Sequence, residues 1–163
     1  MKYDRQRLFL GDKNQKKIEK STVVIVGLGA LGGVAADLLA RSGVNLILID
    51  KDVVDETNLQ RQTLFDEEDM GKLKAEEAER KLKQTNSRIR IKNHAVEITK
   101  NNIDLVKGDA ILDCVDNMKT KLLLNDYAVK KKIPLVHGAA IREIGNIFNI
   151  MPKGQCLRCI YKN

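Results

Sequence analysis

The sequence predicts an α/β protein built on a Rossmann-like, doubly wound and mostly parallel sheet, with antiparallel strands toward the C-terminus. Three observations lead to this fold class. Strand-like and helical segments alternate along the chain, two runs of apolar and β-branched residues are typical of strands buried on both faces, and a glycine-rich turn follows the first of these runs. Because the 163 residues show no repeat or linker, we expect a single domain over residues 1–163.

The first strand is predicted at residues 22–27, where the sequence TVVIVG is almost wholly apolar. A helix with its apolar residues on one face follows over residues 31–39, and Gly43 is placed to end it. The second strand is predicted at residues 44–50. This β-α-β order is the first half of a doubly wound sheet.

The rest of the chain continues the alternation after a polar connection over residues 51–69, which is long enough to suggest a functional loop. The predicted elements are a helix at 72–84, a strand at 89–96, a short helix at 102–107, a strand at 110–114, a helix at 121–132 and a strand at 133–140. Residues 141–152 alternate apolar and polar side chains, which predicts an antiparallel strand at the edge of the sheet.

A glycine motif, GLGALG at residues 27–32, joins the first strand to the first predicted helix. Glycines there permit a tight turn, and the helix N-terminus offers free N–H groups to a phosphate. Asp50 ends the next strand, where a carboxylate accepts hydrogen bonds from ribose hydroxyls. The motif predicts a nucleotide site, with glycines that serve packing alone as the alternative. It leaves open whether the nucleotide is ATP or the NAD of a dehydrogenase.

Three charged residues favour ATP. Arg61 lies in the long loop, Lys74 begins the following helix, and Asp116 comes just after the strand at 110–114. All three lie beyond the carboxyl ends of strands, where ligands bind in open α/β sheets. The two cations suit the negative charge of a triphosphate, and the carboxylate suits Mg²⁺, whereas hydride transfer needs neither.

Each of these residues also has a plain structural interpretation. Arg61 is alternatively a partner in a surface ion pair, Lys74 one more solvated lysine, and Asp116 the cap of the next helix. Taken singly, the two interpretations are about equal, but their combination with the glycine motif favours a site. The two histidines, His94 and His137, fit structural roles in or beside strands.

Composition limits the partners and the compartment. The net charge of +7 is compatible with nucleic acid, nucleotides or acidic proteins, but a lysine-rich solubilising surface explains it more simply. The aromatic content of 4% argues against base stacking. Residues 1–15 lack the apolar core of a signal peptide, and no apolar run is long enough for a bilayer. We therefore expect a cytoplasmic protein with no membrane contact.

Eight stretches together are far more specific than the glycine motif. They are YDRQ, GLGALGG, LILIDKD, NLQRQTLF, GKLKAEEA, ILDCVDN, KIPLVHGAAI and QCLRC. In these stretches, which are spread over nearly the whole length of the chain, the sequence resembles the ThiF/MoeB-type adenylyltransferases, relatives of the ubiquitin-activating enzymes. The resemblance implies a nucleotide site made by Gly27, Gly29, Ala30, Leu31, Gly32, Asp50, Asp52, Thr57, Asn58, Leu59, Gln60, Arg61, Lys74, Asp116 and Asn117.

Catalytic roles follow from the same resemblance. Arg61, together with Asn58, would contact the phosphates, Lys74 would grip the triphosphate, and Asp116 would organise Mg²⁺. Arg5 matches an N-terminal arginine that reaches into the active site of the partner subunit, which implies a homodimer.

The implied reaction is attack of a carboxylate on the α-phosphate of ATP, with release of pyrophosphate. The implied substrate is the Gly-Gly tail of a small ubiquitin-like sulfur-carrier protein, which serves molybdopterin, thiamine or tRNA thiolation. Adenylation of a modified tRNA carboxylate is a less favoured alternative. A third is a non-catalytic half-enzyme, although such halves typically lose the Arg, Lys or Asp that this chain keeps.

The chain departs from the family pattern at its C-terminal end. Cys156 and Cys159 match the first half of a structural zinc site, which needs four ligands. The other pair belongs to a portion that the family carries further on. The chain is then a truncated form or fragment, a separate polypeptide supplies the second half, or two chains share one ion. A redox role is the remaining alternative for the pair. Cys114 lies in a predicted strand, so we expect burial and no thioester chemistry there.

Overall fold

A computed structural model describes residues 2–161. The strands are β1 (Thr22–Val26), β2 (Asn45–Ile49), β3 (Ile91–His94), β4 (Ala110–Asp113), β5 (Leu135–Ile141) and β6 (Ile144–Ile150). The helices are α1 (Asp4–Lys20), α2 (Ala30–Ser42), α3 (Glu56–Leu59), α4 (Lys74–Thr85), α5 (Met118–Lys131) and α6 (Leu157–Ile160), with 3₁₀ turns at Glu67–Asp69 and Ile103–Val106.

The six strands form one sheet in the order β3-β2-β1-β4-β5-β6. The first five are mutually parallel, and β6 runs antiparallel to β5 at the edge. The predicted fold class is therefore confirmed, including the antiparallel strand near the C-terminus. Because the chain moves outward in opposite directions from β1 and β4, their carboxyl ends form the switch point at which such sheets bind ligands.

The central strands are buried on both faces, which explains why β1 has no polar side. In β1, Ile25 packs with α2 and α4 on one face, whereas Val24 and Val26 pack with α5 on the other. All three side chains are almost inaccessible to solvent. Such continuous apolar strands are typical of a parallel sheet covered on two sides.

Helix α1 is an element that the sequence pattern does not predict. Gln15 is its only buried residue, while Leu8 and Phe9 are 79% and 90% exposed, so no apolar stripe marks it. Gly11 breaks its regularity with a φ of +76°.

Within residues 2–161, no helix is both long and apolar enough to span a membrane.

Candidate functional site

The glycine turn after β1 is closed by backbone contacts that leave no room for side chains. A Cβ at Gly27, whose φ is +90°, would lie 2.6 Å from the Cys114 carbonyl oxygen, and one at Gly32 would lie 1.8 Å from the Gly27 oxygen. Gly29 is different, because its nearest neighbour would be Gln62 Nε2 at 3.7 Å. At Gly29 only a side chain borders the start of α2, and the positive end of the helix dipole lies there for a ligand.

Asp50 ties this turn to the end of β2. Its Oδ2 accepts a hydrogen bond from the Leu28 N–H at 2.6 Å, and its Oδ1 accepts one from the Asp52 N–H at 2.8 Å. Burial raises the pKa of Asp50, although these two donors partly oppose the rise. The carboxylate keeps lone pairs for further donors, so it is placed to bind hydroxyl groups of a ribose.

Lys74 is a buried cation rather than a solvated lysine. Only 5% of the residue is exposed, and its Nζ lies 3.9 Å from Asp52 Oδ2. Its positive charge partly opposes the burial that raises the pKa of Asp50, and it adds to the hydrogen bonds from Thr57 that lower the pKa of Asp55. A buried ammonium group beside the glycine turn and the end of β2 has the location expected for a triphosphate contact.

The long loop after β2 brings a second cation to the same edge. Asp55 caps α3 by accepting a hydrogen bond from the Thr57 N–H, and the Asn58 carbonyl accepts bonds from the N–H groups of the two residues that follow Gln60. Arg61 is exposed, and its Nη1 donates to the Thr57 carbonyl at 3.0 Å. In the described part of the chain, this guanidinium thus engages a carbonyl and not a carboxylate.

Gln62 was not among the predicted site residues. It is 5% exposed, and its Oε1 is buried without a hydrogen-bond partner among the described residues. An unpaired buried acceptor is costly in a folded protein, so it requires an explanation such as a bound water, ion or ligand. Its position against Gly29 places this unsatisfied group beside the phosphate-binding end of α2.

The turn after β4 presents Asp116 to solvent. Its neighbour Asn117 is the helix cap, since its side chain accepts the Thr120 N–H at 2.9 Å. Asp116 is exposed and does not cap α5, so the alternative interpretation of Asp116 as a helix cap does not hold. An exposed carboxylate at this position is free for a metal–nucleotide complex.

Beneath this turn lies a buried polar cluster that sequence reasoning missed. Asp113 Oδ2 lies 2.6 Å from His137 Nδ1, and the Lys121 ammonium donates to the Val115 carbonyl. All three charged or titratable residues are at most 5% exposed. Asp113 could have been inferred from the ILDC stretch, but Lys121 carries no signal because it is one of several lysines in α5, the others of which are exposed.

The glycine turn, Asp50, Lys74, the loop with Arg61 and the turn with Asp116 all lie at the carboxyl edge of the parallel strands. Arg5 does not join them within one protomer. Its neighbour Gln6 donates to the Ser42 carbonyl at the far end of α2. Since α2 has 13 residues and is about 20 Å long, Arg5 is remote from its own glycine turn.

The three cysteines are chemically distinct. Burial raises the pKa of Cys114 to about 12, so it is no thiolate nucleophile near neutral pH. The sulfurs of Cys156 and Cys159 lie 3.7 Å apart at the start of α6. Within residues 2–161, no group of three or more His, Cys, Asp or Glu side chains is arranged to hold a metal ion. The zinc expectation therefore rests on two ligands.

Comparison with known proteins gives a consistent result. The ThiF family matches residues 3–163. The chain is 41% identical over 167 residues to the sulfur carrier protein ThiS adenylyltransferase of Bacillus subtilis, covering 98% of the chain and 50% of that protein. It is 37% identical to the SAMP-activating enzyme E1 of Haloferax volcanii, covering 93% and 57%. The chain thus spans about half the length of these relatives.

Solved structures agree with this assignment. A structure of E. coli MccB with ATP superposes with a TM-score of 0.88 at 30% identity, covering 97% of this chain and 51% of MccB. The E. coli tRNA N6-threonylcarbamoyladenosine dehydratase TcdA, in complex with ATP, gives a TM-score of 0.83 at 30% identity over 88% of this chain and 61% of TcdA. The similarity extends over the whole α/β sheet rather than a local motif.

Proposed function

Because this chain belongs to the ThiF family, we propose that it binds ATP and adenylates the C-terminal carboxylate of a ubiquitin-like sulfur-carrier protein, releasing pyrophosphate. The observation that carries the proposal is the buried ammonium of Lys74 beside Asp50 and the glycine turn. A dehydrogenase has no use for a buried cation there, whereas a triphosphate does. The names of the relatives, a ThiS adenylyltransferase and a SAMP-activating enzyme, support the substrate class.

The residues present fit ATP. A Cβ at Gly29 would meet only the Gln62 side chain and no backbone, which leaves a phosphate able to approach the N–H groups at the start of α2. Asp50 is positioned for the ribose hydroxyls, and the unsatisfied amide of Gln62 adds a polar group beside the phosphates. Together these groups would orient the α-phosphate toward the entering carboxylate.

The chemistry requires no general base, because a C-terminal carboxyl with a pKa of about 3.3 is already ionised near neutral pH. A carboxylate oxygen attacks the α-phosphorus, and the bond from this phosphorus to the oxygen that bridges to the β-phosphate breaks. Pyrophosphate leaves with the electron pair. Arg61 and Lys74 neutralise the charge that builds up on it. Mg²⁺ held by Asp116 would supply further charge neutralisation.

The partner subunit enters the proposal through Arg5. This residue is exposed at the end of the molecule away from its own glycine turn, and the exposed Leu8 and Phe9 follow it on α1. We propose that α1 packs on a second copy in a homodimer, so that Arg5 completes the site of that copy. Large exposed apolar side chains on one helix are typical of an interface.

The cysteine pair fits half of a zinc site. Tetrahedral zinc with Zn–S bonds of about 2.3 Å would place two thiolate sulfurs about 3.8 Å apart. The observed separation of 3.7 Å between the sulfurs of Cys156 and Cys159 agrees with this value. The other two ligands would come from a segment or chain outside these 163 residues. In the proposal, zinc therefore stabilises this end of the molecule and takes no part in the reaction.

A pyrophosphate-exchange assay tests the proposed function. With ATP, Mg²⁺, labelled pyrophosphate and a carrier ending in Gly-Gly, the protein should form labelled ATP. Arg61→Ala and Lys74→Ala should each slow exchange by roughly tenfold or more, which corresponds to about 1.4 kcal/mol of lost transition-state stabilisation. Lys72→Ala, which removes an exposed lysine two residues from Lys74, should leave the rate unchanged. Absence of exchange by a protein that binds ATP would refute the proposal.

A second candidate substrate is a carboxylate on a modified tRNA base. It is favoured by the similarity to TcdA and by the net charge of +7, which would attract a polyanion. The same assay separates the two, because only the true substrate supports exchange. Exchange with such a tRNA and not with any carrier protein would replace the first candidate by the second.

A further inference from the structure

Val115 connects β4 to the turn that carries Asp116, and buried side chains hold both of its backbone groups. Its N–H donates to Asp113 Oδ1 at 3.3 Å, and its carbonyl accepts a hydrogen bond from the Lys121 ammonium. Few loop residues have both peptide groups bound by charged side chains, because most bond to backbone or water. The residue immediately before Asp116 is therefore fixed from two sides.

The two holding side chains also neutralise each other. Asp113 is fully buried, Lys121 is 5% exposed, and the Lys121 Nζ lies 3.9 Å from Asp113 Oδ1. The second Asp113 oxygen is bound by His137 Nδ1. A buried ion pair contributes little net stability compared with a well-packed apolar pair. The specific result of this pair is the fixed orientation of the Val115 peptide groups.

The same turn rests directly on the glycine turn. An added Cβ at Gly27 would meet the Cys114 carbonyl oxygen at 2.6 Å and the Val115 nitrogen at 3.0 Å. The position of Val115 therefore sets the separation between Asp116 and the phosphate-binding end of α2. A shift of about 1 Å in a catalytic group is enough to lower activity strongly.

We propose that Asp113 and Lys121 are positioning residues that hold Asp116 against the Mg²⁺–triphosphate complex. The inference rests on the proposed function. Neither side chain contacts the nucleotide in this scheme, and both act through the backbone of Val115. The helix that supplies Lys121 is thus part of the catalytic apparatus, although its other lysines face solvent.

The test uses the double variant Asp113→Asn/Lys121→Met, which removes both buried charges and so leaves neither unpaired. Hydrogen exchange should show amides 114–117 exchanging at least about tenfold faster than in the wild type. Calorimetry should show that Mg²⁺ enhances ATP affinity about tenfold less than in the wild type, while affinity without Mg²⁺ stays within about twofold. Lys121→Arg, which keeps a charged donor for the Val115 carbonyl, should behave like the wild type on both measures.

Lys130→Met is the matched control, since it removes an exposed lysine from the same helix. It should change neither measure. Wild-type exchange rates and wild-type Mg²⁺ dependence in the double variant would overturn the inference while leaving the proposed function intact. A wild-type protein that fails to bind ATP would instead overturn the proposed function. In that case, unchanged hydrogen exchange at residues 114–117 of the double variant would still reject the positioning role. If the double variant fails to fold, Lys121→Arg alone provides the test. The inference is rejected if this variant loses the Mg²⁺ enhancement of ATP affinity while hydrogen exchange at amides 114–117 stays at the wild-type rate.

Discussion

At the scale of single residues, the glycines of the turn serve two different requirements, the fold and the access of a ligand. Gly27 and Gly32 are needed for the fold, because a Cβ at either would overlap backbone atoms of the turn or of Cys114. Gly29 is needed for access, because its Cβ would meet no protein atom closer than 3.7 Å. The pattern G-x-G-x-x-G predicts all three glycines, but only the structure assigns each its own reason.

Replacing Gly29 by alanine should therefore impair the ligand more than the fold. We expect the melting temperature to fall by only about 2–4 °C, since alanine is a poorer helix cap than glycine by about 1 kcal/mol. ATP affinity should fall by roughly tenfold or more, because the methyl group occupies the path of the phosphates. Calorimetry and thermal melts measure the two effects.

Gly145→Ala in β6 is the control for this variant, since its Cβ would have 4.0 Å of clearance and lies away from the turn. It should bind ATP like the wild type. ATP binding by Gly29→Ala at wild-type strength would show that the phosphates do not approach this glycine.

Sequence reasoning singles out residues whose chemical type is unusual for their place and overlooks those hidden in ordinary patterns. Lys74 and Arg61 stand in specific motifs, so the sequence predicts them as charged groups of a site. Lys121 lies near the start of α5 among several exposed lysines, and nothing in the sequence marks it as buried. The charge of Lys121 is buried beside Asp113, which lies 8 residues away in β4. Only folding brings these two residues together.

At the scale of elements, the long connection between β2 and α4 is fixed by charges rather than by apolar packing alone. Asp69 is fully buried, and its carboxylate is bound by Arg80 Nη2 at 3.0 Å and Lys81 Nζ at 2.6 Å. Asp66 and Asp69 also cap each other's backbone in a capping box. The loop that carries Arg61 is thereby anchored on α4, which begins with Lys74.

This anchoring should make stability depend on pH. Burial by itself would raise the pKa of Asp69, but the hydrogen bond and charge of Lys81, with the Asp66 N–H, lower it to about 2. Since the ordinary value is 3.8, the unfolded chain takes up the proton first as the pH falls. The contribution of Asp69 is complete above about pH 4 and is lost as the pH falls toward 2, on the order of 2 kcal/mol.

Chemical denaturation of the wild type and of Asp69→Asn between pH 6 and pH 2 measures this effect as the difference between their unfolding free energies. That difference should shrink by on the order of 2 kcal/mol over the window. Asp104→Asn, which alters a carboxylate 86% exposed, should show no such trend. A difference for Asp69→Asn that is constant with pH would contradict the assigned role.

An element was predictable from the sequence where its apolar residues recur with a regular period, and it was not predictable where they do not. Strand β6 was identified from its alternation and is indeed the antiparallel edge. Helix α1 was not identified, because polar contacts attach it instead of an apolar stripe. Asn86 donates to the Tyr3 hydroxyl at 2.7 Å, and Gln6 donates to Ser42. Such contacts join residues far apart in sequence, so no local pattern reveals them.

At the scale of the whole molecule, the order of strands explains how distant residues meet. The chain leaves β1 toward β2 and β3 on one side and returns to β4 and β5 on the other. The loops after β1, β2 and β4 therefore converge above the centre of the sheet. This topology was predictable from the alternation of elements, whereas the packing of Gln62 on Gly29 depends on a loop conformation that the sequence does not specify.

The central claim is that the glycine turn, Arg61, Lys74 and Asp116 surround one triphosphate. A crystal structure of the protein with a non-hydrolysable ATP analogue and Mg²⁺ tests it most directly. We expect the ribose on Asp50, the phosphates at the start of α2 within contact of Lys74 and Arg61, and the metal beside Asp116. A nucleotide bound elsewhere, or phosphates directed away from Lys74 and Asp116, would contradict the claim.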